Sequence, residues 1–444
     1  MSWNRARGPL GWLLIAAFFS IFSGTFGAQQ KMDSIEMDRA RQMLRDARDA
    51  VKKHYYDPQY HGVDLDARYQ QFDDRIKTAP DFNNALRMVA AFLSGLKDSH
   101  TFFDPPERPF RLDTGFRMAL FGDTAFITRV RPGTDAESKV HPGDQVVAYD
   151  TYSVNRVDFH DLSYTFNSLM PQMKTQLELR DPVGNTRQAL VDSKMKQGKK
   201  TLDFTAEGDG DDVWQYLRAE ENEDHVVRQR YVEMGDFTIW KMPEFFLQDG
   251  EVDHIFDTVR KHKALILDLR GNPGGAVVTL ERMLGNVFDH DVKIADRVER
   301  KATKPDVAKT VGGRAYAGKI IVLVDSQSAS AAELFARVMQ LENRGTVVGD
   351  RSSGSVMEAR GYGYTQGADT VISYGFSVTE ADLIMKDGKS LEHLGVTPDE
   401  IVIPTGRDLA SGQDPVLARA VEIAGGKLDP AEAGKMFPFE WVPF

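Results

Sequence analysis

The sequence contains no cysteine in 444 residues. That absence excludes disulfides, a thiol nucleophile, a cysteine-based zinc site and a cysteine-linked lipid anchor. Stability must then come from buried apolar surface alone. Positive charge is also short: 55 Lys and Arg against 66 Asp and Glu leave a net charge of −11, which argues against a general nucleic-acid binder. No internal repeat or low-complexity tract is present. The cluster Asp209-Gly210-Asp211-Asp212 lacks the spacing of a calcium loop and reads as solvated surface. Gly388-Lys389-Ser390 has Leu383 where a P-loop needs glycine. Neither a metal nor an organic cofactor is implied.

What is present begins with a single long apolar run. Arg5 and Arg7 precede the apolar stretch Leu10–Phe22, and the small residues Gly27 and Ala28 follow. This is the pattern of an export signal over residues 1–28. Phe26 is a poor residue just before a cut after Ala28. The uncharged run Gly8–Gln30 is also nearly long enough to span a bilayer, so an uncleaved anchor over residues 8–28 stays open. Either way the chain is expected outside the cytoplasm, periplasmic or extracellular. There is no second membrane span.

The length predicts two or three domains. Residues 32–108 read as a helical domain: Met37, Ala40, Met43, Leu44, Ala47 and Val51 recur at helical spacing, as do Leu86, Val89, Ala90, Leu93 and Leu96. Pro58 and Gly62 break the helices. Residues 111–192 change to short alternating runs, at Ala125–Val130, Gln145–Tyr149 and Gln176–Leu179, separated by turns such as His141-Pro142-Gly143-Asp144. One short helix is expected at Leu162–Leu169. Residues 193–225 are polar, a linker or an exposed strand pair. From 226 to 430 strands and helices alternate: strand 237–242, helix 252–262, strand 264–269, helix 277–286, strand 320–324, a helix, and strand 345–348. That order predicts an α/β core with a largely parallel sheet. Residues 431–444 form a tail.

Two turns of this core carry chemistry. Val322–Arg337 reads strand, small-residue turn, helix, with Ser330 at the helix start. A serine held there is favoured as a nucleophile by the free N–H groups of the helix. The plain alternative is a capping box, Ser330-Ala331-Ala332-Glu333, present for stability alone. Asp268-Leu269-Arg270-Gly271-Asn272-Pro273-Gly274-Gly275 follows a buried strand and precedes a helix. Its paired glycines suit either a backbone anion pocket or a tight turn. Asp268 and Arg270 read as braces of the core rather than reacting groups.

The motifs DLRGNPGG, SQSASAAE and LEHLGVTPDE, in that order, closely resemble the serine peptidases of the carboxyl-terminal processing protease and tricorn core protease family, over roughly residues 35–425. The resemblance implies an α/β multidomain chain: a helical N-terminal segment, a β-rich PDZ domain and an α/β, crotonase-like catalytic core. Processing proteases use a lysine base, whose place falls on Ser355. No lysine lies between Lys319 and Lys386. The tricorn-like branch instead uses a histidine before the PDZ domain and a glutamate late in the core. Both are present, so the resemblance implies a Ser330, His100, Glu392 triad, with Ser99 in support and His393 as an adjacent competitor for the base. Gly274 or Gly275 together with Ala331 would form the oxyanion hole. Gly115-Phe116 is placed like a carboxylate-binding loop. The expected partners are protein or peptide substrates, captured through free C-terminal carboxylates; oligomers stay open, and a membrane is involved only if the leader is uncleaved. Two non-enzymatic readings remain open: an inactive ligand-binding protein on this scaffold, as in the retinoid-binding modules of the vertebrate eye, and a PDZ adaptor whose core is a relic.

Overall fold

The computed structural model describes residues 32–197, 228–367, 371–441 and 444. The expected leader, and the linker beyond residue 197, lie outside the described residues. Three helices open the described chain, Ser34–His54, Leu65–Lys77 and Phe82–Ser94. Each starts at an aspartate whose side chain accepts a first-turn N–H: Asp33, Asp64 and Asp81. Their apolar faces meet around Met43, Leu44, Val51, Val89 and Leu93. The same cluster includes Phe103, Tyr374, Phe376 and Val378, so the helices do not close a core by themselves. They pack on a strand that comes almost 300 residues later.

The β-rich unit is one antiparallel sheet in the order Phe116–Phe121, Thr124–Val130, Gln145–Tyr149, Lys174–Arg180, Thr186–Asp192. Alternation of side chains puts Phe116, Ile127, Val146, Leu177, Leu179 and Val191 on one buried face. Phe116–Phe121 is an edge strand. The helix expected at Leu162–Leu169 starts earlier, at Phe159–Tyr164, and ends in a widened turn over Thr165–Leu169. Lys194–Gln197, within the expected linker, pairs with Phe110–Asp113.

The core holds a six-stranded sheet in the order Arg230–Met234, Phe237–Lys241, Ala264–Asp268, Lys319–Val324, Thr346–Gly349, Glu400–Ile401. All neighbours are parallel except the first pair. Helices cover both faces, which is why the central strands are apolar without alternation. Leu265, Leu267, Val322 and Val324 face the helices Asp249–Val259, Val277–Val287 and Ala331–Leu341. Ile266, Ile321 and Leu323 face Pro415–Ile423. The helix read from sequence as 252–262 therefore begins and ends earlier.

A second core sheet was not legible in the sequence. It runs Phe102–Asp104, Ile372–Ile384, Val292–Glu299, Thr303–Ala308, with Met357–Gln366 pairing along Ile372–Ile384. Its strands carry charges, as in Val292–Glu299, VKIADRVE, because much of this sheet is only half-buried. Phe102↔Ser377 and Asp104↔Gly375 register the segment after His100 against the core.

Candidate active site

The turn that presents Ser330 is determined by local hydrogen bonds. Asp325 Oδ1 accepts the N–H groups of Gln327 (3.0 Å), Ser328 (3.1 Å) and Gly271 (2.9 Å), joining the serine turn to the glycine turn. Ala329 N–H donates to Asn272 C=O at 2.9 Å. Ser330 itself sits at φ +53°, ψ −119°, a backbone state that non-glycine residues seldom adopt. Its N–H donates to Ser355 C=O (2.8 Å) and to Glu333 Oε2 (3.1 Å).

Glu333 does more than cap a helix. Its fully buried carboxylate also accepts Ser352 Oγ–H (2.5 Å) and the N–H groups of Gly354 (2.8 Å) and Ser355 (3.0 Å). Burial pushes its pKa up to about 7 despite these donors. One side chain thus ties the Ser330 turn to residues 352–355. Glutamate three residues after a serine was visible as a helix signal; nothing in the sequence marked its burial.

The glycine turn lies directly against the serine. A Cβ on Gly274, at φ +99°, would stand 2.6 Å from Ser330 Cβ and 3.0 Å from Ala331 N. One on Gly275, at φ +146°, would stand 2.5 Å from Phe245 C=O. Both positions require glycine. Asn272, fully buried, orders the turn: its Nδ2 donates to Met242 C=O (3.0 Å) and its Oδ1 accepts Gly274 N–H (2.8 Å). Among the described residues, the N–H groups of Gly275 and Ala331 have no hydrogen-bond acceptor. Below the turn, Asp268 and Arg270 form a buried brace with Lys241 and Asp414. Burial alone would raise the Asp268 carboxyl, but Arg270 and Lys241 outweigh it and hold it well below its ordinary range.

The second half of the constellation joins residues far apart in sequence. Asp98 Oδ1 accepts the N–H groups of His100 (3.0 Å) and Thr101 (2.7 Å) and the hydroxyl of Thr379 (2.8 Å), which fixes the backbone at the histidine. His100 Nδ1 lies 2.7 Å from Ser99 Oγ, and Ser99 Oγ donates to Glu392 Oε2 at 2.9 Å. Ser99 N–H donates to Glu392 Oε1 (2.7 Å) and Val356 N–H to Glu392 Oε2 (2.9 Å). The carboxylate therefore reaches the imidazole through the serine hydroxyl. Burial lowers the His100 pKa, with Asp98 opposing, and burial raises that of Glu392 against its three donors. His393 has an exposed ring whose Nε2 meets Lys97 C=O at 2.8 Å and lies 3.7 Å from Glu392 Oε1; among the described residues it makes no hydrogen bond to Ser99 or His100.

Two consecutive residues, Ser355 and Val356, bond Ser330 and Glu392 respectively. Among the described residues no hydrogen bond joins Ser330 Oγ to the His100 ring. Gly115 and Phe116 lie apart from this constellation, in the β-rich unit. Gly115 N–H donates to Asp113 Oδ1 at 2.9 Å, so this amide is already engaged. Phe116 is buried at the start of the edge strand. The other end of that strand reaches the core, where Ser326 Oγ–H donates to Leu120 C=O at 2.7 Å.

Residues 231–402 match the model of peptidase family S41, and residues 38–91 match that of the tricorn protease C1 domain. A tail-specific protease of Haemophilus influenzae is 24% identical over 321 residues, covering 68% of this chain and 43% of its own length. A carboxyl-terminal-processing protease of a Synechocystis species is 30% identical over 155 residues, 34% of each chain. The chain thus spans less than half the length of these curated relatives. Among solved structures, mature CPAF complexed with lactacystin superposes with a TM-score of 0.60 at 17% identity, covering 85% of this chain and 96% of that one. At that identity the likeness speaks to the fold.

Proposed function

We propose, for a chain whose core matches the model of peptidase family S41, that it is a serine endopeptidase in which Ser330 is the nucleophile and His100 the base. The observation that carries this reading is the continuous chain Glu392–Ser99–His100, anchored on the loop that also holds Ser330. A serine hydroxyl next to a carboxylate donates its proton to it. Its lone pair then faces His100 Nδ1, so Nδ1 carries the ring proton and Nε2 is left as the acceptor for the Ser330 proton. A base pKa lowered by burial keeps that nitrogen free at neutral pH. As Nε2 takes the proton, Glu392 stabilises the imidazolium through Ser99.

The oxyanion is received by the N–H groups of Gly275 and Ala331. Gly274 serves by closeness instead, since its own N–H is engaged with Asn272. Two aligned backbone donors at a helix N-terminus are typically worth several kcal/mol to the developing charge, about 3–4 for one donor. The β-rich unit is read as a PDZ domain that captures substrate tails. Its strand Phe116–Phe121 stands at the sheet edge, the position at which a peptide adds as a further strand, and it leads from Gly115 toward Ser326, in the turn before the nucleophile. We keep export, resting on residues 1–28, as part of the proposal.

A fluorophosphonate probe tests the reading. It should label the wild-type chain at Ser330 and fail on Ser330→Ala, and the wild type should cleave an unfolded protein. Absence of both labelling and turnover would favour a binding protein on the same scaffold.

A further inference from the structure

The C-terminal segment crosses from the core to the β-rich unit. Met436 and Phe437 pack beside the parallel sheet. Arg230 Nη1 donates to Pro438 C=O at 2.8 Å, and Arg228 pairs with Glu440 at 2.7 and 3.2 Å. Beyond these anchors, two aromatic rings reach the other unit. The Trp441 ring lies 4.5 Å from Arg131 Cζ and 5.4 Å from Arg117 Cζ, and Phe439 lies 5.8 Å from Arg129 Cζ. The two rings meet edge to face at 5.0 Å.

The surface they cover is unusual. Arg117 and Arg129 are directly opposite on neighbouring strands, and Arg131 follows two residues on, so three guanidinium groups share one face. Like charges placed opposite each other destabilise a sheet. Asp113 pairs with Arg131 at 2.6 Å. The faces of the arginines are what the tail's rings engage, and that is the chemistry of cation–π recognition. The face also lies at the Gly115 end of the edge strand, since Arg131 N–H donates to Gly115 C=O at 2.7 Å.

The aromatic end of the tail is only partly buried. Phe439 stays 45% exposed. The Arg228–Glu440 pair is a surface ion pair, of a kind that contributes little.

We propose that the face made by Arg117, Arg129 and Arg131 is a binding site for an aromatic peptide segment, and that the chain's own Phe439–Trp441 segment fills it as a displaceable occupant. The proposal does not depend on Ser330 being a nucleophile. Because the occupant is tethered, it acts at an effective concentration on the order of millimolar. A peptide that binds the open face in the tens of micromolar must then bind the wild type roughly tenfold or more weakly.

The probe is a fluorescent synthetic peptide of residues 435–444, KMFPFEWVPF, titrated by polarisation into the full chain. Phe439→Ala/Trp441→Ala, which empties the face, should bind it at least about tenfold more tightly than wild type. Trp441→Phe, which keeps a ring, should behave like wild type. Adding Arg117→Gln and Arg129→Gln to the emptied variant should bring binding back down about tenfold, with Arg131 kept so that Asp113 retains its partner. Thermal melts of all variants check that each is folded. Equal affinity for wild type and emptied variant would overturn the proposal. So would binding indifferent to the arginines, or no saturable binding to the folded emptied variant up to about 1 mM peptide.

Discussion

Ser330 and the glycines against it come from two adjacent strands of one parallel sheet, each followed at once by its turn and helix. His100 and Ser99 come from the end of the helical unit and meet Glu392, which lies 293 residues from Ser99. The first half is held by contacts within short, contiguous turns. The second exists only because Phe102–Asp104 pairs with Ile372–Ile384 and the helices pack on the same strand. The turn that carries the proposed nucleophile is therefore a property of the core, while the proposed base is delivered to it by another unit. A chain built this way can lose the placement of His100 with the Ser330 turn intact.

The largest effects should come from cutting either half at its centre. Ser330→Ala and His100→Ala should each lower kcat/KM on an unfolded protein by roughly three to six orders of magnitude. If His100→Ala stays within about tenfold of wild type, the base belongs elsewhere and the comparison breaks. Next comes the relay. Ser99→Ala should lower kcat/KM by roughly two to four orders of magnitude, because Nδ1 loses its acceptor and the imidazolium its link to Glu392. The wild-type rate should fall as pH drops through a midpoint below the ordinary histidine value of 6.5, since burial lowers the His100 pKa and only the neutral ring can take the proton. A pH–rate profile with its acid limb above 6.5 would contradict this.

The nucleophile half is expected to show itself in stability. The folded-state pKa of Glu333, pushed up to about 7, lies above its ordinary 4.5. The folded chain then binds more protons than the unfolded one between these values, so stability should fall as pH rises from about 4.5 to about 7 and level off above. Glu333→Gln should flatten that slope in denaturant titrations at several pH values, and should destabilise by about 1–3 kcal/mol because an amide cannot accept from every donor around it. The smallest effect belongs to His393→Ala, which should change kcat/KM by less than about tenfold. A larger loss would return this histidine to candidacy as the base.

Much of the fold was readable where side-chain periodicity is strong. Two of the three N-terminal helices, the short strands of the β-rich unit and the apolar central strands at Ala264–Asp268 and Lys319–Val324 stand near where the pattern put them. The second core sheet was not readable, because strands such as Met357–Gln366 are half exposed and carry glycine and charge in place of an apolar alternation. The site divides in the same way. Ser330 and the Gly274-Gly275 turn carry local signals, a helix cap and a demand for positive φ. Ser99, His100 and Glu392 were picked out by resemblance to a family, and as isolated residues they look like surface polar groups.

By itself the sequence determined the elements whose cause is local: helix starts at capping residues, buried strands from apolar runs, and turns where only glycine is tolerated. Only the tertiary structure decided that Glu333 is buried and ties four partners, that Ser99 stands between His100 and Glu392, and that Trp441 rests on arginines more than 300 positions earlier. Those outcomes depend on which surfaces meet when separate units pack. A hydrogen bond across 293 residues leaves no periodicity in the chain that makes it.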